Sequence, residues 1–255
     1  MSQLDAILFD IDDTLFSTTA FTTTARARAV ESMVSCGLTS REPGIVTPAA
    51  IKEAALRELT EVISEFGSNY DHHFDKLVIR MMGRKGMVDR RAMIVAAGVI
   101  AYHDTKFKDL APFPDVRPLL SALVASGTRI GIITHGWTTK QAEKLIRLKL
   151  LPEYFAPDHV FISDAVGINK PNKKLYQVAL SDLGLTDPSR VMYVGDNPPN
   201  DIAPPKELGM KTTWSRRASR TEQSEIQADH EVWNFLELAQ ILRDQYGIPI
   251  AILAE

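Results

Sequence analysis

The hydrophobic pattern of the chain changes character twice. Ala6-Ile7-Leu8-Phe9 is a short, unbroken apolar run, as expected for a strand buried on both faces of a parallel sheet. From about Ser17 to Lys108 the apolar positions recur at helical spacing instead. That spacing predicts helices over 24–34, 47–67, 70–82 and 89–102. The second opens on Thr47-Pro48, a capping residue followed by proline in the first turn. Short, mainly apolar runs then return as strands at 129–133, 159–162 and 191–194, with predicted helices over 115–127, 139–148 and 173–183 between and before them, and a last helix around 206–208 leads to Lys211-Thr212-Thr213-Trp214. Strands alternating with helices imply a parallel sheet with right-handed crossovers. The predicted fold is therefore α/β, a Rossmann-like parallel sheet core built from 1–15 and 112–255. An inserted all-helical cap domain over 16–111 interrupts it.

Composition narrows the setting. With 255 residues, 45% hydrophobic and 24% charged, the chain can bury the core of one large domain or two modest ones. The net charge of −3, from 29 basic and 32 acidic residues, argues against nucleic acid or an anionic membrane as partner. The basic cluster Arg216-Arg217-Ala218-Ser219-Arg220 reads as a solvated loop in that balance. The single cysteine, Cys36, permits no internal disulfide and fits a reducing compartment. No apolar stretch approaches the ~20 residues of a membrane span, and the first residues lead straight into the strand, without the pattern of a signal peptide. The expected location is cytoplasmic.

The chemistry gathers where the predicted strands end. Asp10-Ile11-Asp12-Asp13-Thr14 follows the first, Thr134-His135-Gly136 the second, Lys170-Pro171 lies after the third, and Asp196 with Asp201 follows the fourth. In open α/β sheets the groove outside the carboxyl ends of the strands is the ligand site. Carboxylates crowded at that edge repel one another unless a cation or a proton relieves them. Lys170 brings a positive charge to the same edge.

The order of these groups resembles the haloacid dehalogenase (HAD) superfamily of phosphatases and phosphotransferases. Residues 9–15 are similar to its DxDx[TV] signature, and 195–202, Gly-Asp-Asn-Pro-Pro-Asn-Asp-Ile, to the GDSxxNDI stretch of the subfamily with a helical cap between the first and second motifs. Thr134 and Lys170-Pro171 stand between them in the expected order, and the likeness spans the chain. The resemblance implies that Asp10 is the nucleophile and forms an aspartyl phosphate. Asp12 would protonate the leaving oxygen and then deprotonate the hydrolytic water. Thr134 would donate its hydroxyl to a phosphoryl oxygen, His135 would contact phosphate through its backbone N–H, and Lys170 would neutralise charge. Asp10, the backbone carbonyl of Asp12, and Asp196 would hold Mg²⁺, with Asp201 helping directly or through water. Asp10 is expected ionised, and Asp12 is expected to keep a proton because carboxylates surround it.

Two positions depart from the pattern. His135 stands where asparagine is usual, and Pro204-Pro205 where a small Gly-Ala pair is common. Structural roles stay open beside the functional ones: Lys170 as a cap of its connection, and Asp201 as the N-cap of the helix containing the two prolines.

Within the cap, Tyr102, His103 and Lys106 are candidate substrate contacts near the return to the core. Arg80, Arg84 and Lys85 are alternative anion contacts. The clusters at 69–73 and 101–106 read as histidine-rich surface rather than as a metal site. The apolar tail 247–254 completes either the core or a dimer contact, so monomer and homodimer both stay open. The expected activity is Mg²⁺-dependent hydrolysis of a small phosphorylated metabolite. A 2-haloacid dehalogenase shares the nucleophile but has no use for the cation site, whereas a phosphomutase uses the same acids. Outside enzymes, a phospho-receiver-like switch or an interaction protein remains, the former disfavoured by the cap and the Asp-x-Asp.

Overall fold

The computed structural model describes residues 4–83 and 88–250. The chain divides into two compact units, one containing the residues up to Thr19 and from Leu110 onward, the other Ala20–Asp109.

Helices α1 (Thr18–Ser35), α2 (Pro48–Phe66), α3 (His73–Met82) and α4 (Val88–Asp109) supply the helical unit. Its core joins Val30 and Met33 of α1 with Ile51, Ala55 and Leu59 of α2, Leu77, Val78 and Met81 of α3, and Ile94 of α4. Thr47 caps α2 as expected, its hydroxyl accepting from the Ala50 N–H at 3.2 Å. Helix α1 begins at Thr18 rather than near 24, because the buried stripe of Ala25, Ala29, Val30 and Met33 outweighs the weak helix propensity of the preceding threonines. Helix α4 runs to Asp109, seven residues past its predicted end, so Tyr102, His103 and Lys106 lie within it. An ion pair between Arg28 and Asp109 ties its end back to α1.

The other unit is built on strands β1 (Ala6–Phe9), β2 (Arg129–Thr134), β3 (Val160–Ile162), β4 (Val191–Gly195), β5 (Lys211–Ser215) and β6 (His230–Val232). All pairings among them are parallel, in the order β3-β2-β1-β4-β5-β6. The apolar run of β1 lies at the centre with every residue buried. Phe9 is level with Ile132 of β2 on one side and with Val194 of β4 on the other. Connections run through α5 (Val116–Ala125), α6 (Thr138–Arg147), α7 (Ser163–Val166), α8 (Lys174–Asp182) and α9 (Ala203–Glu207), and α10 (Phe235–Tyr246) follows the last strand. A core of Leu8, Ile133, Leu175, Tyr176, Ala179, Val191 and Tyr193 seals β1, β2 and β4 against α8. The strand order reverses between β1 and β4, and at such a switch point the flanking loops part and leave a crevice.

Three features differ from the expected pattern. Strand β6 has only three residues, two of them polar, too few to register as a periodic run. Helix α10 starts at a side-chain cap: Asn234 accepts from the Glu237 N–H at 2.9 Å, and the Glu237 carboxylate reaches back to accept from the Trp233 N–H at 2.8 Å. Asp115 stands before α5 but makes no side-chain cap bond there. Its carboxylate accepts instead from Arg217 and from the Phe235 N–H, joining the starts of α5 and α10. Ile248 and Ile250 are buried, so the described part of the tail belongs to the core. No described helix is long and apolar enough to cross a membrane.

Candidate active site

Four strand ends bring the predicted groups together. Asp10 follows β1 directly, and its N–H continues the ladder to the Val194 carbonyl at 2.9 Å. Asp196 follows β4, the neighbouring strand, and Asp201 lies in a π-helical turn, Pro198–Ile202, just beyond it. One carboxylate oxygen from each of Asp10, Asp196 and Asp201 falls within a 4.8 Å cluster. Gly195 makes this approach possible: a Cβ there would lie 2.5 Å from the Asp201 side chain. The N-cap role considered for Asp201 does not hold, since α9 begins without a side-chain cap. Its Oδ2 accepts from the Asn197 N–H at 3.0 Å, and its Oδ1 faces Lys170.

Lys170 is buried and uses all three of its protons. They go to Asp10 Oδ1, Asp201 Oδ1 and the Tyr193 hydroxyl, each at 2.7 Å. Burial opposes its charge, but Asp10 and Asp201 outweigh that and hold its pKa above the ordinary lysine range.

Burial also dominates at Asp10, and with Asp201 and Asp12 nearby it pushes the carboxyl up to about 7 despite Lys170. At Asp196, burial and then repulsion from Asp10 and Asp201 push the carboxyl up to about 9. One lysine does not balance three converging acids, and a hard cation in their midst would relieve the repulsion that lifts both groups. The donor set, all oxygen and all anionic, fits Mg²⁺. Among the described residues it is the one group of three acidic or histidine side chains close enough to share an ion. The histidines of 69–73 and 101–106 form no such group.

Asp12 has a different environment. Burial would raise its pKa, yet Lys144, Thr18 and Gln141 together hold it below the ordinary carboxylate range. The expectation that neighbouring carboxylates help Asp12 keep a proton is thus reversed in these surroundings. The cause is Lys144, whose Nζ lies 2.7 Å from both Asp12 oxygens.

Thr134, the last residue of β2, is fully buried, and its hydroxyl has no hydrogen-bond partner among the described residues. The Thr14 hydroxyl is in the same condition. A buried hydroxyl without a partner is costly, and at a strand end beside Asp10 it is a donor ready for an anionic ligand. His135 is exposed, with Nδ1 3.4 Å from Ser163 Oγ, which also accepts from the Gly136 N–H at 3.0 Å.

The remaining candidates belong to the helical unit. Tyr102 packs edge-on against Phe21 and Phe74, and His103 is exposed beside it. Arg80 bonds Glu58 at 2.9 Å and Glu65 at 2.5 Å, so its charge is already compensated by α2. Arg84 and Lys85 lie outside the described residues. Sequence reasoning passed over Lys144, Gln141, Thr18 and Tyr193. A signal existed for Tyr193, a tyrosine inside an otherwise apolar buried strand.

Comparison with known proteins agrees with this geometry. A glyceraldehyde 3-phosphate phosphatase of Methanopyrus kandleri is 38% identical over 95% of this chain and 98% of its own length. One from Pyrococcus abyssi is 41% identical over 83% of this chain and 81% of its own. A solved HAD phosphatase from Thermococcus onnurineus superimposes with a TM-score of 0.61 at 23% identity, covering 94% of this chain and 98% of that one. Residues 4–209 match the haloacid dehalogenase-like hydrolase family. The chain belongs to that family of hydrolases, and within it to the phosphatases of small phosphorylated metabolites.

Proposed function

We propose that the chain is a Mg²⁺-dependent phosphatase of glyceraldehyde 3-phosphate or a closely similar triose phosphate, working through an aspartyl phosphate on Asp10. The convergence of Asp10, Asp196 and Asp201 within 4.8 Å, with Lys170 locked between two of them, carries the reading. The curated relatives named above supply the substrate class.

Asp10, Asp196 and Asp201, with the backbone carbonyl of Asp12, would hold the Mg²⁺. When bound, the cation neutralises the acids and the phosphate so that the two can meet. Lys170 fixes the Asp10 carboxylate by one oxygen, leaving the other to attack phosphorus in line. The P–O bond to the leaving alcohol breaks as the Asp10–phosphorus bond forms. Asp12, having first taken up a proton from solvent against the pull of Lys144, passes it to the departing oxygen, then takes one back from the water that cleaves the aspartyl phosphate. The Thr134 hydroxyl and the Lys170 ammonium compensate charge on the phosphoryl oxygens. His135 contributes through its backbone. A cytoplasmic location belongs to the same reading, in keeping with the unpaired Cys36.

The test is release of inorganic phosphate from glyceraldehyde 3-phosphate and from p-nitrophenyl phosphate, with Mg²⁺ and with EDTA, beside halide release from a 2-haloacid. Mg²⁺-dependent phosphate release without halide release is expected. Halide release without phosphate release would overturn the reading. A ranking of sugar, acid and nucleotide phosphates in which the triose phosphate is not preferred would overturn the substrate.

A further inference from the structure

Each Asp12 oxygen has two donors. Oδ1 accepts from Thr18 Oγ1 at 2.6 Å and Lys144 Nζ at 2.7 Å, and Oδ2 from the same Nζ at 2.7 Å and Gln141 Nε2 at 3.0 Å. Gln141 and Lys144 stand three residues apart on α6, so one face of that helix presents both. The helix begins directly after the Thr134-His135-Gly136 loop, and Gln141 is tied to it as well. Its Nε2 also donates to the His135 carbonyl at 2.5 Å.

Gly136 permits that second bond. Its φ is +137°, and a Cβ there would lie 2.6 Å from Gln141 Nε2. One amide therefore joins the loop after β2 to the Asp12 carboxylate, while Lys144 supplies the charge that keeps this carboxylate on α6. Asp10 is bound to a different lysine, Lys170, which makes no contact with Asp12 in this hydrogen-bond network. The two leading acids thus each have a lysine of their own.

We propose that Lys144 and Gln141 are positioning residues for Asp12: they set the direction of its carboxylate against the Thr134–Gly136 loop and so govern proton transfer, without touching the phosphoryl group themselves. The inference rests on the reading of Asp12 as the acid and base. Its physical basis is the steep dependence of proton transfer on placement, since a displacement of about 1 Å can cost about a hundredfold in rate. Without Lys144 an acid two residues from Asp10 would be free to turn in the field of three other carboxylates. A merely structural role, holding α6 on its loop, would weaken the fold whatever residue stands at 12.

A double-mutant cycle separates the two, using kcat for p-nitrophenyl phosphate with saturating Mg²⁺. Asp12 still activates the hydrolytic water with this substrate, so kcat reports on it even though the leaving group needs no acid. Lys144→Met is expected to lower kcat by about tenfold or more with little change in KM, and by less than about twofold when Asp12 is already asparagine. Lys144→Arg, which keeps the charge, should recover most of the loss. Equal factors in both backgrounds, or a Lys144→Met enzyme within twofold of the parent while Asp12→Asn is impaired, would overturn the proposal. Parental turnover in Asp12→Asn would overturn the acid–base reading and the proposal with it. Should Lys144→Met not fold, Gln141→Leu carries the same cycle with the same expectations, because it removes a donor to Asp12 without removing a charge.

Discussion

The Tyr193 hydroxyl lies 2.7 Å from the Lys170 ammonium and donates its own proton to the Ile133 carbonyl at 2.6 Å. With that proton committed to β2, the oxygen can only accept from Lys170. The tyrosine therefore fixes the third proton of a lysine whose other two go to Asp10 and Asp201.

Tyr193→Phe should accordingly affect stability and turnover together. It leaves a Lys170 proton and the Ile133 carbonyl short of a partner in a buried site, which costs about 1–3 kcal/mol. With Lys170 freed to shift, the orientation of Asp10 loosens, and kcat should fall about tenfold. Urea unfolding and steady-state turnover of p-nitrophenyl phosphate measure the two effects. A variant with parental values in both would mean that the hydroxyl is dispensable.

The acidic cluster leads to a prediction about the metal. Asp196 makes no ion pair with Lys170, which serves Asp10 and Asp201, so its negative charge depends most on a bound cation. EDTA should abolish phosphate release and Mg²⁺ restore it. Asp196→Asn should raise the Mg²⁺ concentration for half-maximal activity by about tenfold or more, one lost carboxylate ligand being worth at least that much in affinity. Since replacing Asp196 also removes its own repulsion with Asp10 and Asp201, the metal-free variant should be no less stable to heat than the metal-free parent. Undiminished turnover in EDTA would refute the cation site.

Away from the site, His230 on β6 ties that strand to α10 through a 2.7 Å contact between Nε2 and the Tyr246 hydroxyl. Burial holds its pKa below the ordinary value of 6.5, with Lys211 acting in the same direction and Asp229 opposing it. The folded state therefore favours the neutral ring. Its contribution to stability is complete above pH 6.5 and is lost as the pH falls below that value, because the unfolded chain takes up the proton first. The parent should lose more stability than His230→Gln between about pH 7.5 and about pH 5.5. Urea midpoints at the two pH values check this, and equal losses in both proteins would exclude His230 as the cause.

What was legible from sequence follows from which forces act locally. Strands β1 to β4, and the polar groups that follow them, could be read because a strand buried on both faces must be a mainly apolar run, and because the chain has to leave it in a polar turn. Strand β6 was not legible, since His230-Glu231-Val232 is held by pairing to β5 and carries no periodicity of its own. The Asn234 cap of α10 was legible in the Asn-x-x-Glu spacing. The site shows the same division. Asp10, Thr134, Lys170, Asp196 and Asp201 announce themselves by standing at strand ends, whereas Lys144 reaches Asp12 from 132 residues away. No local pattern separates such a lysine from any other on an amphipathic helix. The ionisation of Asp12 depended on that contact, which is why counting neighbouring carboxylates predicted the wrong direction.

The last prediction distinguishes Asp10 from Asp12. Asp10 faces Lys170 and the acidic cluster, and its loss removes the atom that would bond to phosphorus. Asp10→Asn should have no measurable turnover and form no covalent intermediate. Asp12 faces α6, and its replacement leaves Asp10, Lys170 and the metal acids with all their contacts. Asp12→Asn should therefore still be phosphorylated by p-nitrophenyl phosphate, whose leaving group departs without an acid. Hydrolysis of the aspartyl phosphate needs a base for the attacking water, and there the loss should reach about 10²–10⁴-fold, the usual worth of general acid–base catalysis. Formation outpacing breakdown, the phosphoenzyme should accumulate, and mass spectrometry of peptides from rapidly quenched Asp12→Asn should locate it on Asp10. Phosphate on another residue would displace Asp10 as nucleophile. Asp12→Asn that turns over at the parental rate with no trapped intermediate would instead move the acid–base role to a different group.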